Sequence, residues 1–307
     1  MKKLSAILGG LILMVLMHGT VSAQTKITLG HTGVADYLAS MVAQEQGFFK
    51  KRGLDVTFQQ VAGGALVPGL QGGSLQIATL PPTNMLLAID GGLDLVVIAG
   101  TSATTKDDRN MGLLVGAASG ISGPKGLVGK KVGVPSIGGS LYVLARKWIA
   151  DQGVDVEKVK FVEVNFPQIG DMLRGGTIDA GVSADPFLQR IVKSGTGSVL
   201  AYFAASLPED TSGVFYGTTR KWADANPQAL KAFKEAIEEG VRFVKANPDA
   251  ARADLAKYLK LPAPVLATIP TPRLKAEVTP PQLQFWIDTL YDMRMINKKP
   301  DAASLIK

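Results

Sequence analysis

The chain has no cysteine and only two histidines among its 307 residues. The first absence excludes a disulfide framework, a thiolate nucleophile, a Cys-ligated zinc or iron–sulfur centre and a cysteine-borne lipid anchor. The second leaves little for transition-metal chemistry. His18 lies in the N-terminal apolar segment, so His31 stands alone in the rest of the chain, without a second imidazole to complete a site. No metal and no cofactor is expected. Past residue 23, no stretch approaches the roughly 20 apolar residues of a spanning helix without a charge, a proline or a glycine pair. A nucleotide loop is missing too: Gly126-Leu127-Val128-Gly129-Lys130-Lys131 has the wrong spacing and no hydroxyl, and Gly195-Thr196-Gly197 lacks its third glycine. No basic stripe interleaved with aromatics occurs, so a nucleic-acid partner is not expected.

What is present begins at the N-terminus. Lys2 and Lys3 precede an apolar run from Leu11 to Met17, and Val21-Ser22-Ala23 offers small residues for cleavage, which reads as a signal peptide over 1–23 with Gln24 as the first mature residue. Removing Lys2 and Lys3 leaves 31 basic against 26 acidic residues, a formal charge of +5. The lysine pairs sit at turn-like positions and read as solvated surface. An exported chain with no tether is expected to be a periplasmic monomer. Its roughly 284 residues suffice for two cores.

The chain also repeats itself. Lys26-Ile27-Thr28-Leu29 reads as a strand, followed by a Gly/His/Thr loop and a helical face of Val34, Leu38, Met41 and Val42. Gly53-Leu54-Asp55 precedes a second strand with Val56 and Phe58, and Gly72-Gly73-Ser74-Leu75-Gln76-Ile77-Ala78 leads into a third. About a hundred residues later the parts recur in order. Lys131-Val132-Gly133-Val134 is a strand, Pro135 to Ser140 a loop, and Leu141, Leu144 and Trp148 a helical face; Gly153-Val154-Asp155 precedes a strand from Val159 to Val164, and Gly175-Gly176-Thr177-Ile178-Asp179-Ala180 leads into another. Two lobes built alike from βαβ units follow, each with a parallel sheet. In such sheets ligands collect beyond the carboxyl ends of the strands. The remaining sequence reads as helices starting at Asn226-Pro227, Asn247-Pro248 and Thr279-Pro280, with a surface loop from Leu261 to Pro272. Leu230, Phe233, Ile237, Val241 and Val244 form one apolar stripe, and Leu283, Trp286, Ile287 and Leu290 another.

Taken in order, Ile27 through Gly53-Leu54-Asp55-Val56, Gly73 to Ala78, Leu127 to Pro135, Gly176-Thr177-Ile178-Asp179-Ala180 and Trp222-Ala223-Asp224-Ala225-Asn226-Pro227 resemble the nitrate/sulfonate/taurine-type solute-binding proteins of ABC importers. That family also contains binders of thiamine pyrimidine precursors. The resemblance implies an α/β, two-lobed periplasmic-binding-protein fold (type II) with two crossover segments, expected at Met111 to Val115 and Gly213 to Thr218. Lobe one would comprise 24–112 and 216–307, and lobe two 113–215. It further implies a small solute (a sulfonate, a carboxylate, a nitrate-like anion or a polar heterocycle) and an ABC importer permease as partner.

Repeat and resemblance together point to four loops. They contribute Gly30, His31 and Thr32; Pro81, Pro82 and Thr83 before a helix near Asn84; Ser136, Gly138, Gly139 and Ser140; and Ser183, Ala184, Asp185 and Pro186. The Ser136 to Ser140 loop is the first candidate, because glycines admit a close approach and a helix start offers N–H donors to an anion; it also reads as an ordinary helix start with Ser140 as cap. His31 fits an anion donor and a surface histidine equally. Asp185 would repel an anion, so it serves a ligand amine, a hinge-side hydrogen bond or nothing in the pocket. Phe166 and Tyr216 fit an apolar wall or the core. None of these loops holds an arginine, which argues against a clamped dianion. The competing class is an exported enzyme of the same fold, a hydrolase or a pyrimidine-precursor synthase, with His31 as its base.

Overall fold

The computed structural model describes residues 24–259, 266–267 and 269–307, so the expected signal segment and most of the 261–272 loop lie outside the described residues. Among the described residues ten strands form two five-stranded sheets. The first holds β1 (Thr25–His31), β2 (Leu54–Gln60), β3 (Ile77–Leu80), β4 (Leu95–Gly100) and β10 (Phe215–Thr219), in the order β2-β1-β3-β10-β4. The second holds β5 (Met111–Gly116), β6 (Lys131–Val134), β7 (Lys160–Glu163), β8 (Ala180–Ala184) and β9 (Gly197–Tyr202), in the order β7-β6-β8-β5-β9.

The two orders are the same order. β1 pairs in parallel with β2 and β3, and β6 pairs in parallel with β7 and β8. In each sheet the fourth position is taken by a strand from the other half of the chain, running against its neighbours: β10 between β3 and β4, and β5 between β8 and β9. Each sheet is therefore mixed, with four strands pointing one way and the exchanged strand opposed. The segments expected to cross between lobes are these exchanged strands; the stretches that pass between the sheets are 101–110 and 203–214. The apolar pattern of Leu113-Leu114-Val115 marks a strand buried on both faces, which a connecting segment would not need.

The helices follow the apolar periodicity. α1 (Leu38–Glu45), entered through a 3-10 turn at Ala35–Tyr37, buries Leu38, Met41 and Val42. α2 (Phe48–Lys51), α3 (Leu66–Gln71) and α4 (Pro82–Asp90) complete the N-terminal half; α5 (Ser140–Asp151), α6 (Phe166–Arg174) and α7 (Phe187–Lys193) flank the second sheet. α8 (Arg220–Ala225), α9 (Pro227–Ala246), α10 (Pro248–Leu259) and α11 (Pro280–Asp292) close the chain. Phe233, Ile237 and Val244 of α9 are buried, as are Leu283, Trp286, Ile287 and Leu290 of α11.

Proline opens α9, α10 and α11 as expected, but only Thr279 caps, in a reciprocal box with Gln282. Asn226 and Asn247 instead close the preceding helices. Their amides donate to Trp222 O at 2.9 Å and Phe243 O at 3.3 Å, satisfying orphan carbonyls of α8 and α9.

α9 approaches α1 so closely that a Cβ on Gly240 would stand 2.2 Å from the Ala39 carbonyl oxygen. In an open helix Gly→Ala stabilises by about 1 kcal/mol. Here Gly240→Ala should destabilise by about 1–3 kcal/mol through overpacking. Urea unfolding checks the sign, and a gain in stability would contradict this packing.

Candidate binding cleft

The carboxyl ends of both sets of parallel strands meet at one cavity. β1 runs into Thr32 and Asp36, β3 into Pro81, β4 into Ser102 and Thr104; from the other side β6 runs into Ser136 and Ser140, β7 into Phe166 and β8 ends at Ala184. Asn110, Gly213 and Val214, from the passages between the sheets, complete its wall. The cavity measures about 90 Å³. One water takes about 10–15 Å³ on the same measure, so the guest is limited to a handful of heavy atoms.

Its polar lining is mostly hydroxyl. Thr32 Oγ1 meets Tyr37 Oη at 2.8 Å, and Ser140 Oγ donates to Gly213 O at 2.9 Å, tying the start of α5 to the returning passage. Gly139 caps α5 without a side chain, and Ser140 and Leu141, its first two residues, both line the cavity. N–H groups at those positions have no acceptor within the helix. Burial pushes the Tyr37 phenol up to about 12, so it is a neutral donor.

Among the described lining residues the one carboxylate is Asp36, and no Lys, Arg or His accompanies it. Ser102 Oγ donates to Asp36 Oδ1. Burial raises the Asp36 pKa, and the nearby charge of Asp108 adds to the rise.

The two sides touch across the cavity mouth. Asn84 Nδ2 donates to Ile137 O at 3.2 Å, and Ser136 Oγ donates to Asn84 Oδ1 at 3.4 Å. Glu163 accepts from the backbone N–H groups of Gly64 and Ile137, each at 3.1 Å. A Cβ on Gly63 would stand 2.6 Å from Pro135 O, so glycine is required for this approach.

Of the candidate residues, Thr32, Pro81, Ser136, Gly139, Ser140, Phe166 and Ala184 line the cavity. Asn84 lies at its mouth, as does Gly138, whose φ of +79° and contact with Leu87 call for glycine. Thr83 is fully buried, its hydroxyl without a partner. Tyr216 is fully buried in the core against the first sheet, edge-on to Phe233 at 5.4 Å. His31 is turned away from the cavity, edge-on to Phe58 at 5.6 Å and Tyr37 at 6.4 Å, and burial lowers its pKa to about 4. Asp185 forms part of an adjoining cleft that shares Asp36, Ser102, Thr104 and Asn110 with the cavity. Burial raises its carboxyl to about 7; the charge of Asp36 adds to the rise and that of Lys193 opposes it.

Asp36, Ser102, Thr104 and Asn110 escaped the reading of the sequence. The available signal for Asp36 was an acid inside the otherwise apolar run from Val34 to Leu38. The other three sit in the passage between sheets, whose location depends on the strand exchange.

The sequence profile of a known family matches residues 35–251. The chain belongs to the NMT1/THI5-like family. A Brucella abortus (strain 2308) protein of this kind, named only as a binding protein, is 28% identical over 233 residues, 74% of this chain and 70% of that one. The taurine-binding periplasmic protein of Escherichia coli (strain K12) is 25% identical over 281 residues, 87% of this chain and 85% of its own. The alkanesulfonate-binding protein SsuA from Xanthomonas axonopodis pv. citri, solved bound to MOPS, superposes with a TM-score of 0.78 at 19% identity, over 93% of this chain and 98% of that chain. The NMT1/THI5-like chain described here thus shares the α/β fold of periplasmic binding proteins.

Two buried groups set opposing pH slopes. Folded Asp185 keeps its proton to about pH 7 against 3.8 for the free group, so it costs stability as pH rises from about 4 to 7. His31 takes its proton near 6.5 when unfolded and near 4 when folded, so it costs stability as pH falls through that window. Relative to wild type, Asp185→Asn should lose stability on acidification from pH 6.5 to 4.5, and His31→Phe should gain it. Urea unfolding at the two pH values reads both signs; parallel profiles for all three proteins would contradict the assigned burial.

Proposed function

We propose that this chain is a periplasmic solute-binding protein that closes two lobes over a small polar solute and delivers it to an ABC importer permease. The observation that carries this reading is the cavity at the carboxyl ends of both sheets, walled by each half of the chain and latched at its mouth by Asn84 and Glu163, which do not line it. The family membership supports it, as do the relatives named for binding taurine and alkanesulfonates. We take 24–112 with 216–307 as one lobe and 113–215 as the other, joined through the passages 101–110 and 203–214. The two passages bond to each other, Thr104 N to Thr211 O at 2.9 Å and Thr101 Oγ1 to Val214 O at 2.8 Å, which suits a paired hinge. We read the chain as a binder and not an enzyme: His31 faces aromatic rings, and its low pKa makes it a poor base near neutral pH.

Solute binding should raise folding stability by about 2.7 kcal/mol at a hundredfold excess over Kd, without turnover. Ser136→Ala combined with Ser140→Ala should weaken binding by removing lining hydroxyls. Glu163→Ala should weaken it severalfold by releasing the latch, chiefly through faster dissociation. Calorimetry and stopped-flow release measure these effects. Product formation from the bound molecule, or full affinity in both variants, would reject the proposal.

A further inference from the structure

Where the cavity meets the adjoining cleft, buried acceptors stand without partners among the described residues. Both carboxylate oxygens of Asp185 and the side-chain oxygen of Asn110 are buried with no hydrogen-bond partner among the described residues. Asp185 is 5% exposed. The two residues are held side by side, since the Asp185 N–H donates to Asn110 O at 2.7 Å. Asn110 lines both the cavity and the adjoining cleft of Asp185, and so does Asp36. Neither carboxylate takes part in an ion pair among the described residues. The two arginines of the adjoining cleft are committed elsewhere. Arg109 donates to the Lys106 and Asp108 carbonyls with its guanidinium over the Tyr202 ring, and Arg273 pairs with Asp210 and Glu209.

A buried carboxylate without a cation or a donor set is costly, and the cost is relieved when a guest supplies both. A hard metal ion would need more oxygen ligands than are gathered here: among the described residues no group of three His, Cys, Asp or Glu could hold one. Taking the solute-binding reading as its basis, we propose that the solute carries a protonated nitrogen, an ammonium or amidinium group, that pairs with Asp36 in front of Asp185 and Asn110. The other end of the molecule then points across the cavity to the hydroxyls of Ser136 and Ser140. Simple anions such as nitrate or an alkanesulfonate meet a negative wall and bind weakly. Zwitterions and small amines are the fitting class.

Three matched pairs test this, each replacing an ammonium by a methyl group: taurine and 1-propanesulfonate, β-alanine and butyrate, 3-aminopropanol and 1-butanol. Calorimetry on wild type should favour the ammonium member by at least about tenfold, the worth of a charged hydrogen bond. Asp36→Asn, which keeps the acceptor for Ser102, should erase the preference; Asp185→Asn provides the same readout if the first variant does not fold. Equal or tighter binding of the methyl members would overturn the inference and leave the solute-binding reading standing. A preference that survives in both variants would overturn the assignment to these acids. Should none of the six bind, mass spectrometry of the molecule retained from a cell extract decides: a basic nitrogen, with retention lost in Asp36→Asn, supports the proposal, and its absence overturns it. A protein that retains nothing fails the solute-binding reading itself.

Discussion

The reciprocal exchange of β5 and β10 is the constraint on which the rest of the structure depends. Without β10, β3 and β4 have no neighbour between them, and without β5 the same is true of β8 and β9. The unpaired N–H and C=O groups of those strands would be left in a buried sheet, which is why neither half can complete itself alone. The exchange also obliges the chain to pass twice between the sheets. Those passages deliver Ser102, Thr104 and Asn110 from one side and Gly213 and Val214 from the other to the same cavity wall.

The electrostatics of the cleft follow from what this geometry gathers. The side of the first sheet brings a carboxylate, Asp36, and the side of the second brings the start of α5, with its unpaired N–H groups and partial positive charge. The cavity is thus polarised from wall to wall, with hydroxyls between its ends. The low polarizability of the surroundings strengthens both ends, and it also penalises a charge that finds no partner. Asp36 and Asp185 therefore hold their protons more tightly than exposed carboxylates do.

Much of the architecture was legible in the sequence because it repeats. The glycine pairs before β3 and β8 and the Gly-aliphatic-Asp turns before β2 and near β7 are local signals, and with the strand patterns at Lys26 and Lys131 they mark β1, β2, β3, β6, β7 and β8. The stripes of α9 and α11 were equally readable from their helical period. The exchanged strands are not: Met111 to Val115 and Gly213 to Thr218 read as connections, because pairing with residues from 65 to 139 positions away leaves no local trace. For the same reason Asn226 and Asn247 resembled caps of the helices they precede, although in space they finish the ones they follow.

By itself the sequence determined the βαβ repeat, the strands and helices within it, and the glycine-bearing loop before α5 that lines the cleft, since each depends on neighbours a few residues apart. Only the tertiary structure decided which charge faces the cavity. Thr32, Asp36 and His31 share one short stretch, yet the turn at Ala35–Tyr37 sets the first two at the cavity and the strand direction sends the imidazole among aromatic rings. The sign of the cleft depends on that orientation, and orientation is fixed by packing between distant segments.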